Sequence, residues 1–502
     1  MIQSLKKIAL IFTLLVLPTR AITASDAELK PTPTLHLKKL QKQFDIETDD
    51  ISFYVIELDK KEPVEILAPT RPEVPASLMK IPTCLYSLSN LGGHHRFSTQ
   101  LLGKGAIEDG VLKGDLILKG NGDPYLTSGR LFDLALKLSQ SGVKKVEGEF
   151  YYDDSELPKS SKISEIGHGD QSYNPSVGAL NFEFNRIRIK KNPSRSSTFH
   201  AEFQTIPILK HFKIQKIKGP LAPQQKFNWK ELEDDNQEVW QVSTKERYGS
   251  TEVVPIRRPS LYAAEMLRLY LGRLGVELKT PQVFPMSDEL ASVQILTETL
   301  SPSLLNICAM ALEYSNNLFA ESLMLSTAKS QKPEVNGLLE ASEVMHNWFK
   351  ESYPELDWEG SYFENGSGLS LNSRISAQTL TELLVEEHKS QFLNRTFWSL
   401  LSITGQTGWL KNRLMEDEVN HRIFAKTGSL DFVHNISGYF ISMKNKKYAF
   451  TLMISNIEKR KRAEKLKKNS RTYKVLYRQA RNYRNRALKL ANELMTHWVQ
   501  QL

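Results

Sequence analysis

Between about Leu101 and Asp288 the sequence changes texture. Short strand-like pieces, Leu116–Leu118, Glu149–Tyr152 and Arg186–Ile189, alternate with turn clusters such as Gly120-Asn121-Gly122-Asp123-Pro124 and Gly167-His168-Gly169-Asp170. One amphipathic helix, Ser128–Gln140, interrupts them, and a second, Arg258–Gly275, closes with a glycine stop. Both flanks are richer in helix. The change of texture marks this stretch off from its flanks, and 502 residues suffice for two to four domains, each with its own core. No internal repeat relates the parts.

In the first flank, Ser52–Asp59 alternates apolar and polar residues and reads as a strand. Ser77–Leu91 reads as an apolar helix ended by Gly92-Gly93. Pro82 removes a helical donor and is tolerated only in a first turn, so the helix begins near Ser77 or bends just after Lys80. In the second flank, Pro302–Leu325 reads as a helix with Tyr314-Ser315-Asn316-Asn317 in its middle. Polar residues there are costly unless partnered or exposed. A glycine-rich loop, Glu364–Leu371, follows. Arg422–Ser429 reads as a strand ending in Lys426-Thr427-Gly428, and Asn435–Met443 with Tyr448–Ser455 as a hairpin-like pair. A basic tract and a terminal helix to about Gln500 complete the chain.

The first 27 residues read as a secretory signal: Lys6-Lys7, a short apolar run Ile8–Leu17, then Ala21, Ala24 and Ala27. An uncleaved anchor is the alternative. No later stretch approaches the roughly 20 apolar residues of a membrane span. The expectation is an exported protein of the periplasm or cell envelope. Its two cysteines, Cys84 and Cys308, make no disulfide framework and read as small buried hydrophobes, with a single bridge left open. His94-His95 and His168 lack partners at metal-ligand spacing, so neither metal nor cofactor is expected. The net charge of +9 is a local feature. Lys459–Lys489 holds fourteen Lys and Arg against one acid, Glu464, which leaves the remainder slightly acidic. The plainer reading of residues 457–490 is a solvated helix face, with Val475, Leu476, Tyr483, Leu488, Leu490, Leu494 and Trp498 packing on the body. The sharper one is contact with an anionic surface, lipid headgroups or a wall polymer. An exported address argues against nucleic acid.

Pro75-Ala76-Ser77-Leu78-Met79-Lys80 sets a hydroxyl and an amine three residues apart, where helical geometry lets them meet. Serine is a poor nucleophile until a base takes its proton, and an amine desolvated in a cleft can serve at neutral pH. The S-x-x-K pattern also begins at Ser4, Ser141 and Ser326, and S-x-N at Ser172 and Ser370 as well as Ser315, whereas K-T-G occurs once, at Lys426. The ordered set on helix, mid-helix and strand is far more specific than any member.

That set resembles the penicillin-recognising serine enzymes, and other stretches are similar to the D-alanyl-D-alanine carboxypeptidase/endopeptidase family, the low-molecular-mass class C penicillin-binding proteins. These are Gly120–Pro124, Val177-Gly178-Ala179-Leu180-Asn181, Gly366-Ser367-Gly368-Leu369-Ser370, and Lys426–Leu430 continuing to Ser437-Gly438-Tyr439. The resemblance runs to about Asn456. Asn316 and Asn365 stand where many members have aspartate, and the basic tract has no counterpart.

The resemblance implies an α/β (α+β) fold. A β-lactamase/transpeptidase-like domain is assembled from residues 28–99 and 293–502. Residues 100–292 are a large β-rich insertion of two nested domains. It implies a serine D-alanyl-D-alanine carboxypeptidase, with D,D-endopeptidase work on cross-bridges as an extension, acting on peptidoglycan stem peptides and acylated by β-lactams. Ser77 is expected to attack, Lys80 to act as base with its pKa lowered by nearby Lys426, and Ser315 to relay the proton. Asn317 suits a substrate amide. Lys426 and Thr427 would hold the terminal carboxylate, Gly428 would keep the strand clear for substrate, and the N–H groups of Ser77 and Ser429 would form the oxyanion hole. The rival readings are a β-lactamase-type hydrolase and a non-catalytic cell-wall-binding protein that keeps the fold.

Overall fold

Strands from the two ends of the chain form one sheet. The N-terminal flank supplies β1 (Ile51–Glu57) and β2 (Glu62–Leu67). The C-terminal flank supplies β3 (Ser402–Ile403), β4 (Ile423–Leu430), β5 (Val433–Ile441) and β6 (Lys447–Ser455), in the order β2-β1-β6-β5-β4-β3 with every neighbouring pair antiparallel. This computed structural model describes residues 35–502 apart from 167–168, 195–196, 208, 210, 219–220, 222–224, 231–236, 244–248, 286–292 and 466–470. The signal read at residues 1–27, and His168, lie outside the described residues.

Strands β5 and β6 are buried along nearly their whole length, because helices cover both faces of the sheet. On one face lie α2 (Lys80–Leu91), α5 (Leu304–Tyr314), α6 (Asn317–Gln331), α7 (Leu338–Ser352) and α8 (Ala377–Glu387). They share a core with Tyr54, Ile56, Tyr439 and Met453 of the strands. On the other face α1 (Leu35–Phe44) and α10 (Arg471–Gln501) pack on Phe53, Val55, Ile436 and Phe450. The inner side of α10 carries Ala480, Tyr483, Ala487, Leu490, Leu494 and Trp498, whereas Val475, expected to pack, is 51% exposed. Short α9 (Ile457–Lys465) joins β6 towards it.

The middle of the chain has its own core, with Leu118, Leu134, Phe150, Phe182, Trp240 and Leu267 among its members. Here α3 (Ser128–Gln140) and α4 (Pro259–Arg273) pack with a five-stranded sheet ordered Pro281–Val283, Phe150–Asp153, Leu116–Gly120, Ser98–Lys104, Val293–Leu300. Ser98–Lys104 and Val293–Leu300 pair with each other, so the two ends of this unit lie side by side and extend past the expected 100–292 boundaries. Two three-stranded sheets, built from strands between Arg186 and Pro255, are nested within it. Gly120–Pro124 is a turn: Asp123 accepts from the Tyr125 N–H at 2.8 Å and from Arg130 at 2.6 Å.

One expectation is corrected. Pro302–Leu325 is not a single helix. It breaks at Ser315, which takes a left-handed conformation (φ 55°) between α5 and α6, and Asn316 then caps α6 by accepting from the Phe319 N–H. The break turns Ser315 and Asn317 out of a continuous helical face, which the unbroken apolar pattern on both sides conceals. Both cysteines are free, buried thiols, each sulfur facing the other residue's carbonyl across α2 and α5. Among the described residues no helix is long and apolar enough to cross a membrane.

Candidate active site

Ser77 lies on a 3-10 turn, Ala76–Met79, that runs directly into α2 at Lys80. In a 3-10 turn residues i and i+3 eclipse, which brings Lys80 Nζ to 3.0 Å from Ser77 Oγ. Pro82 falls in the first turn of α2, where its missing N–H has little to lose. Ala76 has a positive φ of 49°, uncommon for a residue with a side chain. Two contacts hold the turn in that shape. Asn435 on β5 donates to the carbonyls of Val74 at 2.8 Å and Pro75 at 3.0 Å. Gly368 presses its backbone against the Ala76 carbonyl so closely that any side chain there would collide.

Lys80 is fully buried and its amine reaches two further acceptors, Asn317 Oδ1 and the Ser367 carbonyl oxygen, each at 2.7 Å. Both of those oxygens can only accept. A neutral amine therefore spends its two N–H groups on them and aims its lone pair at the Ser77 hydroxyl. Burial lowers the Lys80 pKa to about 7, with Glu321 and Cys84 pulling the other way. Of the two expected causes, desolvation leads at Lys80, and the repulsion between Lys80 and Lys426 falls on Lys426. Lys426 is itself held well below the ordinary lysine range, first by burial and then by the charge of Lys80.

The acceptor at Ser367 is placed by Glu321. This carboxylate, buried on α6 one turn after Asn317, accepts from the Gly366 N–H at 3.0 Å and the Ser367 N–H at 2.8 Å. Burial raises its pKa against those hydrogen bonds and Lys80. Asn365 Oδ1 accepts from the Gly368 N–H at 2.9 Å while its Nδ2 donates to the Leu369 carbonyl at 3.1 Å. Aspartate could supply only the first contact. Thr83 Oγ1 closes the loop by donating to the Gly366 carbonyl.

Along β4, Thr427 and Ser429 face the cleft, and Lys426 sits behind them at 1% exposure, donating to the Thr427 carbonyl at 2.6 Å. Gly428 has a reason beyond the expected one. A Cβ there would meet the Pro75 carbonyl oxygen at 2.7 Å and the Ser77 nitrogen at 3.1 Å. The missing side chain therefore lets β4 approach the turn that carries Ser77. Ser429 Oγ pairs with His434 Nδ1 at 3.2 Å, and burial holds that imidazole neutral, down to about 3.

Ser77, Ser315, Asn317, Thr427 and Ser429 all border one cleft of about 890 Å³. Ser315 lines it without a hydrogen bond to Ser77 or Lys80. Asn317 was expected to serve a substrate amide, and half of its four hydrogen-bonding positions are used internally. Its Oδ1 accepts from Lys80, and its Nδ2 donates to the Tyr173 carbonyl at 2.7 Å. Tyr173 belongs to the middle unit, which thereby closes one side of the cleft. Arg460, Tyr477 and Arg484 of α9 and α10 border it too. Glu321, Asn435 and Tyr173 escaped the sequence reading, and Ser367 entered it only as part of the Gly366–Ser370 loop. Only Glu321 left a signal, an acid inside the apolar run Leu318–Leu325.

Residues 34–474 match the model of a family described as "D-Ala-D-Ala carboxypeptidase 3 (S13) family". The chain is 25% identical over 424 residues to a D-alanyl-D-alanine carboxypeptidase, DacB, of Haemophilus influenzae, covering 80% of this chain and 86% of that one. It is 23% identical over 473 residues to a D-alanyl-D-alanine carboxypeptidase of an Actinomadura species, covering 86% and 84%. The fold superposes on the crystal structure of penicillin binding protein 4 (dacB) from Haemophilus influenzae with a TM-score of 0.71 at 21% identity, covering 91% of this chain and 99% of that one.

Proposed function

This chain belongs to the D-Ala-D-Ala carboxypeptidase 3 (S13) family and is a serine D-alanyl-D-alanine carboxypeptidase, and from that premise we propose that Ser77 is its acylated nucleophile and Lys80 its general base. The observation that carries the assignment is the 3.0 Å approach of the Lys80 amine to Ser77 Oγ, with its two other neighbours able only to accept.

Lys80 takes the Ser77 proton as Oγ attacks the carbonyl of the penultimate D-alanine. The N–H groups of Ser77 and Ser429 hold the developing oxyanion; one such donor is typically worth about 3 kcal/mol. The C–N bond then breaks, and Ser315 relays the proton to the departing D-alanine amine. Thr427, backed by Lys426, holds the terminal carboxylate. Water releases the acyl-enzyme, and β-lactams enter by the same attack. A related penicillin binding protein 4 is known in complex with a β-lactam, which supports that reading. D,D-endopeptidase cleavage of cross-bridges uses the same groups.

Catalysis belongs to the domain made from the two flanks of the chain, up to Phe97 and from Ser301 onward, and the middle unit between them serves as the accessory part. The peptidoglycan substrate and the leader-like residues 1–27 support export to the periplasm or envelope. Exposed Lys474, Arg478, Arg481 and Lys489 support contact of the Lys459–Lys489 tract with an anionic surface.

The test is labelling with a fluorescent penicillin, mass mapping, and D-alanine release from a pentapeptide, with Ser77→Ala alongside. A stable adduct on Ser77 and Ser77-dependent release are expected. No adduct and no release would leave a cell-wall-binding scaffold. Fast penicillin turnover without D-alanine release would mark a β-lactamase-type hydrolase.

A further inference from the structure

The family match ends at residue 474, yet Tyr477, Ala480 and Arg484 beyond it border the same cleft as Ser77. They are held there by the packing of α10. Ala480 is buried, and the neighbouring Tyr483 is 2% exposed, its hydroxyl donating to Asp50 at 2.9 Å. Arg484 is half-buried and, among the described residues, has neither a hydrogen bond nor an ion pair. The acids of the cleft wall are already engaged: Asp431 with Arg460 at 2.9 Å and Glu165 with Lys162 at 2.7 Å. A guanidinium brought to the edge of a reaction cleft by a packed helix, without a counter-ion, is a site for one.

Its place along the cleft says which part of a peptide it meets. With the terminal carboxylate at Thr427 and the oxyanion at the Ser429 N–H, the peptide preceding the scissile bond continues along Leu430 and Asp431, at about 3.3 Å per residue. Those two residues line the cleft together with Arg484. The charge of Arg484 also reaches His434, which is paired across the sheet with Ser429.

We propose that Arg484, on the cleft wall that also carries Tyr477, forms a carboxylate-binding subsite for the peptide segment that precedes the terminal D-alanyl-D-alanine. The subsite rests on the assignment of Ser77 and Lys426–Ser429 above. It makes the C-terminal helix a substrate-selecting wall of the cleft.

The test compares kcat/KM for synthetic pentapeptides carrying free carboxylates with the same peptides amidated at one carboxylate at a time. The enzymes are the full chain, Arg484→Ala, Arg484→Lys and Arg484→Glu, each checked for an unchanged melting curve. In the unaltered protein one free carboxylate is preferred, and the position whose amidation removes the preference identifies it. In Arg484→Ala the free-to-amidated ratio falls about tenfold, the scale of one charge-assisted hydrogen bond. Arg484→Lys keeps part of the preference and Arg484→Glu reverses it. The proposal is overturned if the unaltered protein shows no preference, or if the ratio is the same in all four proteins. Failure of the Ser77 assignment is distinguishable, because then no penicillin adduct forms on Ser77 in any of them.

Discussion

Glu321 and Lys80 are joined through one residue, Ser367, rather than by a direct ion pair: the Ser367 N–H donates to Glu321 at 2.8 Å and its carbonyl accepts from Lys80 at 2.7 Å. The carboxylate thus both fixes an acceptor for the amine and favours its charged form. These two effects separate experimentally.

With its pKa lowered to about 7, Lys80 is an active base only above that value. The rate of penicillin acylation is expected to fall about tenfold for each pH unit below it. Glu321→Gln removes a charge that raises the Lys80 pKa, so the acid limb should move to lower pH while the plateau drops through loss of one loop hydrogen bond. A limb that stays in place would mean that Glu321 acts on geometry alone.

Gly428→Ala places a methyl group 2.7 Å from the Pro75 carbonyl and 3.1 Å from the Ser77 nitrogen. Strand and turn must separate, and both expected oxyanion donors move. Misplacement on the order of 1 Å costs about a hundredfold. The second-order acylation constant should fall by that order, with the protein still folded by circular dichroism. A near-normal constant would show that the turn yields without carrying Ser77 with it.

Asn435→Ala removes the side-chain donor from the Val74 carbonyl and leaves the Pro75 carbonyl only the Leu78 N–H at 3.2 Å. Stability should drop by about 1–3 kcal/mol. Asn435→Asp, which cannot donate, should not rescue it. Calorimetry gives the stability change and stopped-flow labelling the loss of acylation. Rescue by aspartate would remove the hydrogen-bond explanation.

Trp498, near the C-terminus, is 1% exposed and packs edge-on against Phe53 with ring centres 5.4 Å apart. Trp498→Ala should cost about 3–5 kcal/mol in urea unfolding. Truncation before residue 471 should expose the back of the sheet and yield insoluble protein. Soluble, penicillin-binding truncated protein would show that α10 is an appendage without a structural role.

Short-range chemistry was legible. Ser77 and Lys80 meet because they are three residues apart, and Lys426-Thr427-Gly428 is one run on one strand. The hairpin of β5 and β6 and the helix Ser128–Gln140 followed from apolar periodicity. The break at Ser315 did not, since the residues on both sides keep a helical pattern and only the left-handed turn itself interrupts it. Gly428 was legible only in part: sequence shows that a side chain is missing, but not that the Ser77 turn needs the space.

The sequence by itself determined the order of the Ser77, Ser315 and Lys426 motifs and marked off a β-rich middle stretch, because spacing and periodicity are properties of neighbours along the chain. Only the tertiary structure decided what surrounds them. Lys80 meets Asn317, Ser367 and, through it, Glu321 across more than two hundred residues of chain. Asn435 holds a turn 360 residues away. A lysine becomes a base near pH 7 through burial, and burial exists only once distant segments have closed over the amine.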